Sequence, residues 1–132
     1  MRNEQGSLTV EMVLLAPALM AMVLFGVQSG RLSESKIQVQ HAADQGARAG
    51  SLVARSKTIS AATFAAENDL ELAGISCRNI SIDIGLVAVG NTNAVRVHIA
   101  CDVNVDGTQF LRLLPDRVHA TSIEVIDAWR IP

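Results

Sequence analysis

The chain has 132 residues and a formal net charge of −2, enough for one small domain and one membrane segment and no case for a nucleic-acid partner. Hydrophobic residues make up 49% of it but aromatics only 3%, with no tyrosine. That balance argues against a stacking or sugar-binding surface and for an apolar helix with β-branched strands.

The apolar residues concentrate near the N-terminus. From Met12 to Gly30 no residue is charged, and Glu11 stands directly before the run. As a helix the run spans roughly 28 Å, close to the ~30 Å hydrocarbon core of a bilayer. Pro17, Gly26 and Gly30 lie within it, and both residue types are tolerated better in membrane helices than in soluble ones. A buried soluble helix is the bland alternative, but so small a domain has little with which to cover one on all sides.

Three kinds of N-terminus begin this way. A secretory signal has a basic start and a small-residue cleavage site, for which Arg2 and Val27-Gln28-Ser29 would serve. Glu11, however, falls where its apolar stretch should begin. A plain uncleaved anchor gives no reason for that carboxylate, which costs roughly 2.5–3.5 kcal/mol deep in hydrocarbon. The third reading explains it. Gly6-Ser7-Leu8-Thr9-Val10-Glu11 resembles the leader of type IV prepilins, which a membrane-embedded prepilin peptidase cuts after the glycine. Cutting there makes Ser7 the new N-terminus. Its ammonium and the Glu11 carboxylate can then neutralise each other, within one chain or between neighbouring subunits.

Beyond Gly30 the helical pattern continues through Leu32, Val39, Ala42, Ala43, Gly46, Gly50 and Val53. One helix is expected from about Leu8 to about Ala54, roughly 70 Å long. Gly26-x3-Gly30 and Gly46-x3-Gly50 each allow another backbone to approach closely, or mark ordinary membrane glycines and a kink. A second helix is expected from about Ile59 to Ala73. Ile59, Ala62, Ala66, Leu70 and Ala73 share one face, Thr58 or Ser56 is a candidate cap, and Gly74 a stop.

The pattern then switches to period two. Ile80, Ile82 and Ile84 alternate before a turn at Gly90-Asn91, and Val95, Val97, Ile99, Cys101, Val103 and Val105 form the cleanest strand. A last strand is expected over Ala120 to Ile131. Ile123, Val125, Trp129 and Ile131 lie on one face, and Asp127 on that face suggests a bulge or an edge position. The fold class is therefore α+β: a long N-terminal helix and a short helix packed on an antiparallel sheet of about three strands. Residues 1–6 read as a leader, 7–30 as a transmembrane helix, 31–56 as its amphipathic extension and 57–132 as a small domain.

Here the resemblance becomes specific. Gly6 to Val53, with Thr9-Val10-Glu11, Ala16-Pro17 and Ala47-Arg48-Ala49-Gly50, resembles the TadE-like family of minor pilins (pseudopilins) of tight-adherence, Flp-type pili. So does the order that follows, with its apolar Leu113-Leu114-Pro115 loop. The resemblance implies a pilin-like fold and a structural rather than enzymatic role in pilus assembly. Its expected partners are a prepilin peptidase, other pilins and pseudopilins, the pilus assembly platform and membrane lipid. It also implies insertion in the cytoplasmic membrane with the leader inside and residues 57–132 outside, as an extracytoplasmic domain. Gly6 and Ser7 are then the cleavage residues, and Glu11, Gly26 and Gly30 the assembly residues. A membrane-tethered extracytoplasmic binding module that never enters a filament is the alternative.

Cys77 and Cys101 fall in the segment expected outside the cytoplasm, where disulfides persist. Closing a loop of about 25 residues stabilises a small domain by roughly 3 kcal/mol. Cys101 shares the phase of the core strand while Cys77 falls on the other phase, so Cys77 must precede its strand or a bulge must shift it. Two buried thiols are the alternative.

Asp102-x-Asn104-x-Asp106-Gly107 matches half a calcium loop, but the twelfth position is Leu113 and the pattern suits the solvent face of a strand better. His41, His98 and His119 show no metal-ligand spacing. No metal or cofactor is expected, and no nucleophile or phosphate-loop motif appears. Phe110, Leu111, Leu113 and Leu114 form an apolar loop expected to cap the sheet.

Overall fold

The structure is a computed structural model that describes residues 5–74, 77–103 and 117–126, with side chains from residue 10 onward. Helix α1 (Gln5–Ser51) leads into a 3-10 turn (Arg55–Lys57) and helix α2 (Thr58–Leu72). Strands β1 (Cys77–Val89), β2 (Thr92–Val103) and β3 (Arg117–Val125) follow. They form one antiparallel sheet in the order β1-β2-β3. This is the α+β arrangement that the periodicities predict, with a pilin-like order of elements.

Two compact units divide the chain, Met1–Ser33 and Glu34–Pro132. In the first, α1 is long and apolar enough to cross a membrane, and none of its most apolar stretch is buried by the rest of the chain. Met12, Val13, Leu14, Met20 and Met22 are all exposed. Pro17 sits inside the helix without ending it.

The second unit is built around small residues. Val39, Ala42, Ala43 and Ala47 on the outer half of α1 are fully buried, as are Ala62 and Ala66 on α2 and Val95, Val97 and Ile99 on β2. Their spacing on α1 is the three-to-four repeat of one helical face. The outer half of α1 is thus the element that covers the sheet. Gln40 Nε2 donates to the Thr121 carbonyl at 3.5 Å, tying α1 to β3 as well.

α1 ends at Ser51 rather than near Ala54, and α2 starts one residue early. Neither Ser56 nor Thr58 caps α2. The cap position is Lys57, without a side-chain bond, and Ser56 lies in the 3-10 turn. Thr58 is fully buried against α1, which removes it from the cap role. Ile59, expected on the buried face, is instead exposed, and Thr58 takes the buried position beside Ala62, Ala66 and Leu70. Gly74 ends the helix as expected, with φ of 63° and its N–H donating to the Glu71 carbonyl at 3.1 Å.

The β1–β2 hairpin turns tightly at Gly90-Asn91, where Gly90 has φ of 60°. Ile82, Ile84 and Leu86 pair with Ile99, Val97 and Val95. The alternation alone would equally allow Ile80, Ile82 and Ile84 opposite those three. The tight turn shifts the pairing by two residues and leaves the face unchanged.

β3 corrects the sequence reading more sharply. It starts at Arg117, and its core side chains are Val118 and Ala120, opposite Cys101 and Ile99. Ile123 and Val125, expected inside, lie on the outward face and are about half exposed. The strand has apolar residues in both phases, and the register with β2 decides between them. Asp127, Trp129 and Ile131 lie outside the described residues, as do Asn104 to Leu114 with the half calcium loop and the apolar loop.

Candidate functional site

Two regions carry the candidate residues. Gly6, Ser7 and Glu11 all lie on α1, so the leader pattern is helical rather than extended in this structure. Glu11 is exposed, directly ahead of the exposed apolar stretch. Further along the same helix, Gly26 and Gly30 face open space: a Cβ added at either would meet nothing within 4 Å.

Gly46 and Gly50 repeat that spacing in the opposite situation. A Cβ on Gly46 would stand 3.0 Å from the Ala62 carbonyl oxygen and 3.1 Å from the Ala66 Cβ. One on Gly50 would stand 3.1 Å from the Ala62 Cβ and 3.2 Å from the Thr58 carbonyl oxygen. The absence of side chains on α1 lets the backbone of α2 sit against it. The second glycine pair is therefore a contact site between helices, not a kink.

Cys77 and Cys101 form a disulfide, with Cα atoms 5.5 Å apart. The phase problem is resolved by a β-bulge. Pairing runs Cys77↔Val103 and Arg78↔Asp102, then slips by one residue before Ser81↔Ala100. Asn79 takes φ of 51° there, a left-handed conformation that asparagine accepts more readily than most residues. Its Nδ2 donates to Asp102 Oδ2 at 3.0 Å. The slip turns Cys77 to the core side, where Cys101 already points. Nothing in the spacing alone identified Asn79 as the pivot.

An open cleft of about 430 Å³ lies beside the bond, between α2 and β1. Leu70, Ile80 and Ile82 make its apolar walls, and Glu67 and Glu71 stand at its side. The sequence reading did not find this cleft, because it arises from the packing of a helix against an edge strand.

The histidines have local partners. His41 Nδ1–H donates to Asp69 Oδ2 at 2.8 Å, joining α1 to α2 at the surface. That hydrogen bond, and the Asp69 charge with it, raises the His41 pKa above its usual 6.5, slightly opposed by desolvation and helped by Asp44. His98 Nδ1 shares a hydrogen bond with Thr121 Oγ1 at 2.8 Å, and the rings of His98 and His119 are 6.3 Å apart on the outward face of the sheet. Among the described residues no group of three or more ligating side chains is arranged to hold a metal ion. Asp102 is engaged instead by Asn79 and, at 3.8 Å, by Arg117.

An exposed apolar N-terminal helix whose far end packs in a small disulfide-bonded α+β domain is consistent with the pilin-like class of architecture. Within that class, a family described as TadE-like protein matches residues 6–48, the N-terminal third of the chain. The match covers the leader pattern, the apolar stretch and the start of the Gly46-x3-Gly50 seam. Comparison with curated proteins and with solved structures gives no match.

Proposed function

We propose that the chain is a TadE-like minor pilin, or pseudopilin, that takes part in assembling a tight-adherence, Flp-type pilus. The observation that carries this reading is the TadE-like match over residues 6–48, with Gly6 and Glu11 set directly ahead of an apolar stretch that the chain does not cover itself. In this reading residues 1–6 are a leader on the cytoplasmic side. A prepilin peptidase cuts between Gly6 and Ser7, and the domain lies outside the cytoplasmic membrane. The processed subunit is drawn from the lipid by the assembly platform and packs its helix, through Gly26 and Gly30, against other pilins.

N-terminal sequencing of protein recovered from cells with a prepilin peptidase tests the reading. A mature chain beginning at Ser7 is expected. A start at Gly30, or an intact Met1 in such cells, would overturn it.

The cleft between α2 and β1 favours a second reading, a membrane-tethered binding module that never enters a filament. Deleting the gene separates the two, since loss of piliation is expected only for a pilin.

A further inference from the structure

We infer that the small domain associates with a second copy of itself head to tail. In this contact the outer face of α2 on one copy docks on the outward face of the sheet of the next.

The first surface is the side of α2 opposite its buried stripe of Thr58, Ala62, Ala66 and Leu70. Phe64 lies at its centre and is 73% exposed, with Leu72 78% exposed two turns on. Glu67 and Glu71 project beside them, and the helix contains no lysine or arginine. An aromatic and a leucine left this open on so short a helix form a patch that the described residues do not cover. Its charge is wholly acidic.

The second surface lies on the other side of the core. The inward face of the sheet packs on α1, with Val97 at the Gly46 position. The outward face presents Ile123, Val125 and Val89, each about half exposed. Arg96 pairs directly with Ile123 across the strands. On its other side is Gly85, and the Arg96 guanidinium lies over it, 3.7 Å from where a Cβ would be. At the far end Arg117 is already engaged with Asp102. Among the described residues Arg96, Glu67 and Glu71 have no ion-pair partner.

One chain thus carries an apolar patch edged with carboxylates and an apolar patch around the Arg96 guanidinium, which has no ion-pair partner among the described residues. Asp83 lies further along the same face, beside His98. Each matches the other in both hydrophobicity and sign. The cleft beside Glu67 and Glu71 suits an arginine, since its apolar walls take the aliphatic stem while the carboxylates meet the head group. Because the two patches differ, the contact is heterologous, and repeating it adds copies in one direction.

This inference goes beyond the pilus reading and needs neither a peptidase nor another pilin for its test. The oxidised full-length chain in detergent micelles is followed by sedimentation velocity over a concentration series. Three samples are compared with wild type: Arg96→Glu, the double variant Glu67→Arg/Glu71→Arg, and an equal mixture of the two. Each variant alone should self-associate roughly tenfold more weakly or worse, because like charges now face each other. The mixture should regain association, since each variant then meets its complement, and the gain should fade as salt rises. A wild type that stays monomeric overturns the inference. So do variants that associate like wild type, which would place the contact on α1, and so does a mixture that regains nothing.

Discussion

α1 carries the same four-residue glycine spacing twice, and the two halves of the helix use it differently. Around Gly46 and Gly50 the chain supplies its own partner, and α2 fills the space to within contact distance of the missing Cβ atoms. Around Gly26 and Gly30 no described atom comes within 4 Å of where a Cβ would stand, although Gln28 between them is buried. The first arrangement is a finished packing seam. The second shows the same spacing without such a seam, and in the proposed function it is the part that meets lipid or the helix of another subunit. A motif alone does not distinguish folding from assembly; what covers it does.

The sharpest way to break this comparison acts on the uncovered half. If the Glu11 carboxylate meets the Ser7 ammonium of an adjoining subunit, Glu11→Gln should leave cleavage and membrane insertion intact and abolish support of piliation. A neutral amide cannot offset a buried ammonium. Expression in a deletion strain, with gel mobility and pilus counts, reads both. Normal pilus numbers would reject the intersubunit role and favour a contact within one chain.

The covered half should fail in a different way, by losing stability. Replacing both Cys77 and Cys101 by serine should cost the domain about 2–4 kcal/mol, measured by denaturant unfolding of the full chain in detergent. Two titratable thiols per oxidised wild-type chain would show that the bond does not form. Gly46→Val should cost about 1–3 kcal/mol, since its side chain meets backbone and the Ala66 methyl rather than a flexible group. Gly26→Val, by contrast, should leave the unfolding midpoint unchanged and reduce assembly alone. Equal losses at both positions would erase the distinction.

The smallest effect lies at the surface, where His41 joins the two helices. Its pKa is raised in the folded protein by the hydrogen bond and charge of Asp69. The stabilisation is therefore fully present below the unfolded value of 6.5 and is lost as pH rises through the folded value. A ring titration by NMR should show the raised pKa fall back toward 6.5 in Asp69→Asn. An unmoved titration would mean the contact is not kept in solution.

The helices and the hairpin were legible because their periods are long and clean. Val95 to Val103 alternates without interruption, and Val39 to Gly50 repeats at helical spacing. β3 was not, because Val118 and Ala120 compete with Ile123 and Val125 for the same role, and only pairing with β2 settles which pair faces inward. The Cys77 phase required either that Cys77 precede its strand or that a bulge shift it, and the structure has the bulge, at Asn79. Its position was not readable, since asparagine's tolerance of positive φ is its sole sequence mark. The α2 cap was misread because burial against Gly50 claims Thr58 first. The His41–Asp69 contact links residues on two separate helices and leaves no local pattern at all.

The place of the disulfide has a consequence for the order of events during synthesis. Cys77 and Cys101 sit on the two adjacent strands of one hairpin, only 24 residues apart. Everything between them belongs to β1, the Gly90-Asn91 turn and β2. Closing the bond therefore asks for a local structure and not for docking of the helices or arrival of β3. In the proposed topology, we expect oxidation to be an early step, complete while the C-terminal strand is still being delivered across the membrane. Pulse-labelled chains trapped with a thiol-blocking reagent should already be oxidised when the epitopes of β3 are still accessible. If the bond appears only after those epitopes are hidden, the hairpin does not form on its own.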